Sequence, residues 1–171
     1  MQKTILITGS TDGIGLETAK ILASQGHNVL LHGRNLEKLE QVQKTLLELK
    51  GGGAVEIYVA DLTLMDNVEE LAKTVAEKHS KLDVLINNAG VYNASNPVTQ
   101  DGLDVRFAVN TIAPYLLTQR LLSLLGTSGR VINLSSAAQS TVQKEALTGR
   151  VKLRDGAAYA QSKLALTMWS R

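Results

Sequence analysis

The chain reads as an α/β protein on one doubly wound parallel sheet, and three observations say so. Short apolar runs recur five times, stretches of helical periodicity separate them, and the first run passes straight into a glycine-rich turn. The runs are Thr4–Ile7, Val29–Leu31, Val55–Val59, Val84–Ile86 and Val131–Leu134. They are continuous rather than alternating, which is the pattern of parallel strands covered on both faces.

The intervening segments supply the helices. Leu16, Ala19, Ile21 and Leu22 open one after the glycine turn. Asn35 then stands as an N-cap before Leu36, Leu39, Val42, Leu46 and Leu49, and Gly51-Gly52-Gly53 stops that pattern. Asp66 and Glu69 form a capping-box variant ahead of Val68, Leu71, Ala72 and Val75. Strand and helix alternating at such short intervals predict βαβ units with right-handed crossovers. The segment Gln139–Ala157 mixes charges with Gly149 and Gly156 and is expected to be an irregular surface stretch. A last helix is expected over Ala157–Trp169, with Leu164, Leu166, Met168 and Trp169 serving packing.

Composition narrows the function. The 171 residues, 44% hydrophobic and 20% charged, suffice for a single domain over 1–171. A net charge of +2 with interspersed signs gives no nucleic-acid or membrane-surface footprint. With no cysteine and three histidines (His27, His32, His79) lacking ligand spacing, a metal site is not expected. No apolar run suits a signal peptide or a bilayer span, so a cytoplasmic, small-molecule protein is the expectation.

The glycine turn is Thr8-Gly9-Ser10-Thr11-Asp12-Gly13-Ile14-Gly15. Strand, glycine turn and helix in this order let backbone N–H groups and a helix N-terminus approach a pyrophosphate, the dinucleotide-binding or Rossmann arrangement. Glycines that only permit a tight turn are the bland reading; position decides between them. The turn follows the first strand, and Gly33 and Arg34 fall about 20 residues on, where such a fold meets the adenosine ribose. A guanidinium pairs with a 2′-phosphate where a carboxylate would repel it, so NADP(H) is expected over NAD(H). Asp12 puts a negative charge near the phosphates unless it caps the helix.

Tyr159 and Lys163, four residues apart, share one helix face. An ammonium roughly 5 Å away, at an effective dielectric of ~20, stabilises a phenolate by about 3 kcal/mol. That brings a tyrosine toward proton transfer near neutral pH.

Together with Thr8-Gly9…Gly13-Ile14-Gly15, the ordered set Asp61-Leu62, Asn87-Asn88-Ala89-Gly90, Asn110, Ser135-Ser136 and Tyr159-Ala160-Gln161-Ser162-Lys163 resembles the short-chain dehydrogenase/reductase family across almost the whole chain. The resemblance implies that Gly9, Ser10, Thr11, Asp12, Gly13, Ile14 and Gly15 cradle the cofactor. It further implies that Asp61 and Leu62 flank the adenine and that Asn88, Ala89 and Gly90 line the cofactor and steady the sheet. Tyr159 would be the general acid/base, Ser136 would hold the substrate oxygen, Lys163 would contact the nicotinamide ribose, and Asn110 would support a water relay to that lysine. The product is an oxidoreductase moving hydride between NADP(H) and an alcohol or carbonyl.

The long Ser136-to-Tyr159 separation is similar to the retinol-dehydrogenase-like branch and points to an apolar substrate. Family members continue past this helix into a sixth strand and a substrate-covering segment, so the resemblance implies a C-terminally shortened chain with Val131–Leu134 as an exposed edge. Homo-oligomerisation is a further expectation from the family. The competing reading is a non-catalytic NADP(H)-binding or redox-sensing module; a sugar epimerase is disfavoured by the glycine spacing.

Overall fold

The computed structural model describes residues 1–49 and 51–170. Five strands, β1 (Thr4–Ile7), β2 (Asn28–Gly33), β3 (Val55–Val59), β4 (Val84–Asn87) and β5 (Arg130–Asn133), form one parallel sheet in the order β3-β2-β1-β4-β5. The helices are α1 (Gly13–Ser24), α2 (Leu36–Leu47), α3 (Met65–Lys78), α4 (Val105–Phe107), α5 (Ala113–Leu125), α6 (Lys144–Leu147) and α7 (Asp155–Trp169), and a π-helical turn at Ala108–Ile112 joins α4 to α5. The expected α/β doubly wound class is what forms. No helix among the described residues is long and apolar enough to cross a membrane.

The two-residue period of a strand sorts its side chains. Leu6, Leu30 and Leu85 pack on the face covered by α3 and α5, while Ile5, Ile7, Val29, Leu31, Val84 and Ile86 pack against α1 and α2. Full burial of each such leucine contributes roughly 1.5–3 kcal/mol, so β1, flanked by β2 and β4, anchors both layers. Connections run one way from β1 to β3 and the other way from β4 to β5. That reversal opens a crevice beyond the carboxyl ends of β1 and β4.

Helix starts follow the sequence in part. Asn35 caps α2 by accepting the Lys38 N–H at 2.9 Å, and Asp12 caps α1 by accepting the Gly13 N–H at 2.7 Å. The capping box at Asp66 does not form. α3 begins one residue earlier at Met65, its cap Leu64 offers no side-chain bond, and Glu69 pairs instead with Arg120 of α5. Glu69 is engaged in a tertiary ion pair in place of a local cap.

Two segments carry more structure than their composition announces. α5, unanticipated from the sequence, buries Leu117, Leu121 and Leu125 at helical spacing. Within 139–157, α6 plugs Ala146 into the protein at 1% exposure and α7 begins at Asp155. The Gln143 N–H also donates to the Gln161 side chain at 2.9 Å, which ties the segment to α7. β5 pairs with β4, and Ile132 on it is 45% exposed, as an edge strand should be.

Candidate active site

The crevice at the strand ends is an open cleft of about 580 Å³. Its walls are the glycine turn after β1, the Gly33-Arg34 corner after β2, the Asp61–Thr63 segment after β3 and Asn88–Val91 after β4. Gly9, Thr11, Asp12, Gly13, Arg34, Asp61, Leu62, Asn88, Ala89 and Gly90 all line it. Ser10, Ile14 and Gly15 do not, nor do Tyr159 and Lys163. Ser10 is fully buried, its hydroxyl bonded to the His32 main chain, and Ile14 lies 71% exposed on α1.

Gly15 sits beneath the turn. A Cβ there would fall 2.2 Å from the Gly9 carbonyl oxygen and 2.4 Å from Asn88 Nδ2, and one on Gly9, at φ +64°, would fall 2.9 Å from Ala89 Cα. Bare backbone therefore forms the floor of the cradle. Thr8 fastens it to β4: its hydroxyl accepts the Asn88 and Ala89 N–H groups, both at 3.0 Å, while Asn88 Nδ2 donates to the Thr8 and Gly9 carbonyls at 2.8 and 2.9 Å.

Arg34 is exposed at the rim beside Asp61, and among the described residues it has no ion-pair partner. One Asp61 oxygen accepts the Thr63 N–H at 3.0 Å, holding the turn after β3. Leu62 is 4% exposed and packs into the core below.

The second group of candidates gathers where Gly90 meets α7. A Cβ on Gly90 would lie 3.5 Å from both Asn110 Oδ1 and Lys163 Nζ, so these two side chains converge on one backbone position. Asn110 Oδ1 accepts the Val91 N–H at 2.7 Å, and its Nδ2 donates to the Val91 carbonyl and to Ser162 Oγ, each at 3.0 Å. Its side chain is thus engaged in bracing the post-β4 loop against α7. Asn110 sits inside the π-helical turn, and Pro114 lacks the N–H that would close an α-type bond to its carbonyl.

Lys163 is 5% exposed, and burial lowers its pKa from the ordinary lysine value. Its Nζ donates to the Leu134 carbonyl at 2.7 Å and lies 5.8 Å from the centre of the half-buried Tyr159 ring. Tyr92 meets that ring edge-on, with centroids 4.9 Å apart. The two serines after β5 divide their work. Ser135 Oγ donates to the Lys163 carbonyl at 3.1 Å and lies 2.7 Å from Thr167 Oγ1, so it is committed to α7; Ser136 Oγ accepts a local N–H from Ala138.

Residues 3–171 match the family model described as short chain dehydrogenase. The chain belongs to the short-chain dehydrogenase family. It is 37% identical over 174 aligned residues to retinol dehydrogenase 13 of Mus musculus, covering 99% of this chain and 52% of that protein. It is 36% identical to polyprenol dehydrogenase of Homo sapiens, covering 98% and 53%. The chain spans about half the length of the curated relatives it matches. Among solved structures, a metagenomic short-chain oxidoreductase in complex with NADP superposes with a TM-score of 0.76 at 32% identity, covering 98% of this chain and 72% of that one.

Several residues that shape the site carry no local motif. Thr8 and Ser162 are polar residues read only as part of longer strings. Arg106 is the largest. Fully buried, it holds both oxygens of Asp104, donates from Nε to the Tyr92 carbonyl at 2.9 Å and reaches Asp155 at the start of α7. It thus joins the loop carrying Tyr92 to the helix carrying Tyr159. A buried arginine that bridges a neighbouring carboxylate to one 49 residues away leaves no signature a single sequence reveals.

Proposed function

We propose that this short-chain dehydrogenase moves hydride between NADP(H) and an alcohol or carbonyl substrate, with Tyr159 as the acid/base. The observation that carries the reading is the continuity of two assemblies. The bare-backbone cradle over Gly15 runs through Asn88–Gly90 directly to Lys163 and Asn110.

The fit of a dinucleotide rests on that cradle. Side chains at Gly9 or Gly15 would collide with the protein's own atoms, so these glycines let the turn pack closely, while Gly13, which lines the cleft with open space at its Cβ position, leaves the helix N-terminus accessible to a ligand's phosphates. Arg34 at the rim would pair with a 2′-phosphate, and the remaining acceptor oxygen of Asp61 would face the adenine. When bound, the nicotinamide cofactor supplies or accepts the hydride.

The chain's own residues do the rest. Tyr159 gives a proton to the carbonyl oxygen in reduction and removes it in oxidation, and Ser136 donates a hydrogen bond to that oxygen as charge develops. Lys163, an ammonium with three donors, spends one on Leu134 and keeps others for the ribose side of the cleft. The Asn110 carbonyl, denied an α-type partner by Pro114, would serve the water relay that resupplies the lysine. The apolar character of the substrate is inferred from the likeness to retinol and polyprenol dehydrogenases.

Incubating the intact protein with NADPH and a panel of apolar aldehydes and ketones tests this. Cofactor oxidation should appear, and Tyr159→Phe should reduce it at least a thousandfold while leaving nucleotide affinity within about threefold. Unchanged turnover in that variant overturns the acid/base assignment, and binding without turnover in the native protein favours a non-catalytic module. Arg34→Ala should weaken NADPH more than NADH by about tenfold, the worth of one charge-assisted contact.

A further inference from the structure

The turn after β1 and the segment after β3, on opposite sides of the cleft, meet at His32 on β2. Its side chain is 2% exposed and takes no part in the proton transfer at Tyr159. Nδ1 accepts the Gly9 N–H at 3.1 Å, and Nε2 lies 3.2 Å from the Ala60 carbonyl oxygen. A backbone N–H can only donate and a carbonyl can only accept. The partners therefore dictate the tautomer, with a bare Nδ1 and the proton on Nε2.

The main chain of the same residue repeats the pattern. The His32 carbonyl accepts the Ser10 N–H at 2.9 Å and the Ser10 hydroxyl at 3.2 Å, and the His32 N–H donates back to Ser10 Oγ at 2.9 Å. One residue of β2 thus binds the glycine turn at two successive positions and the end of β3 at Ala60. Gly9 is where the chain turns at φ +64°, and Ala60 immediately precedes Asp61. These are opposite walls of one cleft.

We propose that His32, as its Nε2–H tautomer, is a positioning residue that sets the spacing between the Gly9 turn and the Asp61 wall, and that a second proton on its ring releases this lock. Imidazolium would carry N–H on Nδ1, facing the Gly9 N–H donor to donor, and one of the two must withdraw. The groups facing the ring are the Gly9 N–H from the turn and the Ala60 carbonyl after β3, and the charges acting on it are Asp61 from beyond β3 and Arg34 from the corner after β2. Burial, the largest influence, lowers the ring's pKa to about 4 with help from Arg34, against the Ala60 carbonyl and Asp61, which favour the imidazolium. The lock is closed at neutral pH and opens in acid.

The consequence for cofactor affinity rests on the dinucleotide reading above; the lock itself can be observed without nucleotide. Nitrogen NMR of the intact protein should show an unprotonated Nδ1 and a protonated Nε2 at pH 7, and the Gly9 amide resonance should move as His32 titrates. Native affinity for NADH, chosen because it lacks a titrating 2′-phosphate, should fall about twofold between pH 6 and pH 4, where half the rings are protonated, and about tenfold by pH 3. His32→Asn offers an oxygen to Gly9 without a titratable nitrogen. It should keep neutral-pH affinity within about threefold and lose the acid-side fall. His32→Phe should lose about tenfold at pH 7, the scale of one buried amide left unpaired.

A proton on Nδ1 at pH 7, a Gly9 amide indifferent to the titration, or an acid-side fall that survives in His32→Asn overturns the proposal. The last result would place the origin of the acid-side fall outside His32. Should the native protein bind neither nucleotide at pH 7, the dinucleotide reading fails, and the nucleotide-free NMR titration still decides whether the lock exists.

Discussion

The proposed cofactor half of the site and the proposed catalytic half are built by different means. Around β1, β2 and β3 the walls are backbone and glycine, fixed by strands packed on both faces, and their hydrogen bonds run largely from main chain to main chain or to Thr8, Ser10 and His32. Around α7 the frame is made of side chains. Asn110, Ser162, Lys163, Ser135 and Arg106 each reach across to another segment, and the sheet beneath them ends at half-exposed β5. The first construction tolerates surface change and punishes a single added Cβ. The second depends on a few polar ties whose loss would free a whole helix.

Among the polar ties, the largest effect should therefore come from Arg106. Arg106→Leu leaves Asp104 without its bidentate partner and frees Asp155 at the head of α7. Removing one member of a buried ion pair costs about 3–5 kcal/mol, and the lower end applies because Asp155 is 58% exposed and can rehydrate. Denaturant unfolding should show a loss of about 3 kcal/mol, with turnover falling further than nucleotide affinity. Equal losses in both would mean that α7 is not held separately from the cradle.

A comparable effect should appear on the cradle side, with pH as the probe. His32 has an ordinary value of 6.5 and is lowered to about 4 by burial, so the unfolded chain binds more protons between these values. Stability is complete above about pH 6.5 and declines as the pH falls through 4, by about 3 kcal/mol in total. His32→Asn should flatten that limb of the stability curve. A limb of unchanged depth would move the acid sensitivity away from the cradle.

The same division explains what the sequence discloses. All five strands and the Gly9–Gly15 turn are readable because parallel strands buried on both faces are uninterrupted apolar runs and because a glycine cradle is a local string. Asn35 is readable for the same reason, since an N-cap acts on a neighbour three residues away. α5 is not, because its apolar positions follow a π-helical turn and Pro114, which blur the start of the pattern. Arg106 and His32 escape for a different reason. Their partners lie 49 residues away at Asp155, and 23 and 28 residues away at Gly9 and Ala60. Asp66 shows the opposite error, a local capping signal overruled when Glu69 finds Arg120 on another helix.

The smallest effect should lie at the outer strand, where two isoleucines stand in adjacent strands at paired positions. Ile86 on β4 and Ile132 on β5 are register partners, but Ile86 is 8% exposed and Ile132 is 45% exposed. Ile86→Ala removes packed methyl and methylene groups from between the sheet and its helices, and should cost about 2–5 kcal/mol. Ile132→Ala removes a side chain that water already reaches, and in this chain should change stability by about 0.5 kcal/mol or less. Urea unfolding of the two variants measures the contrast directly. A large loss at Ile132 would show that something packs on β5 in solution, and the outer strand would then have to be regarded as an interior one.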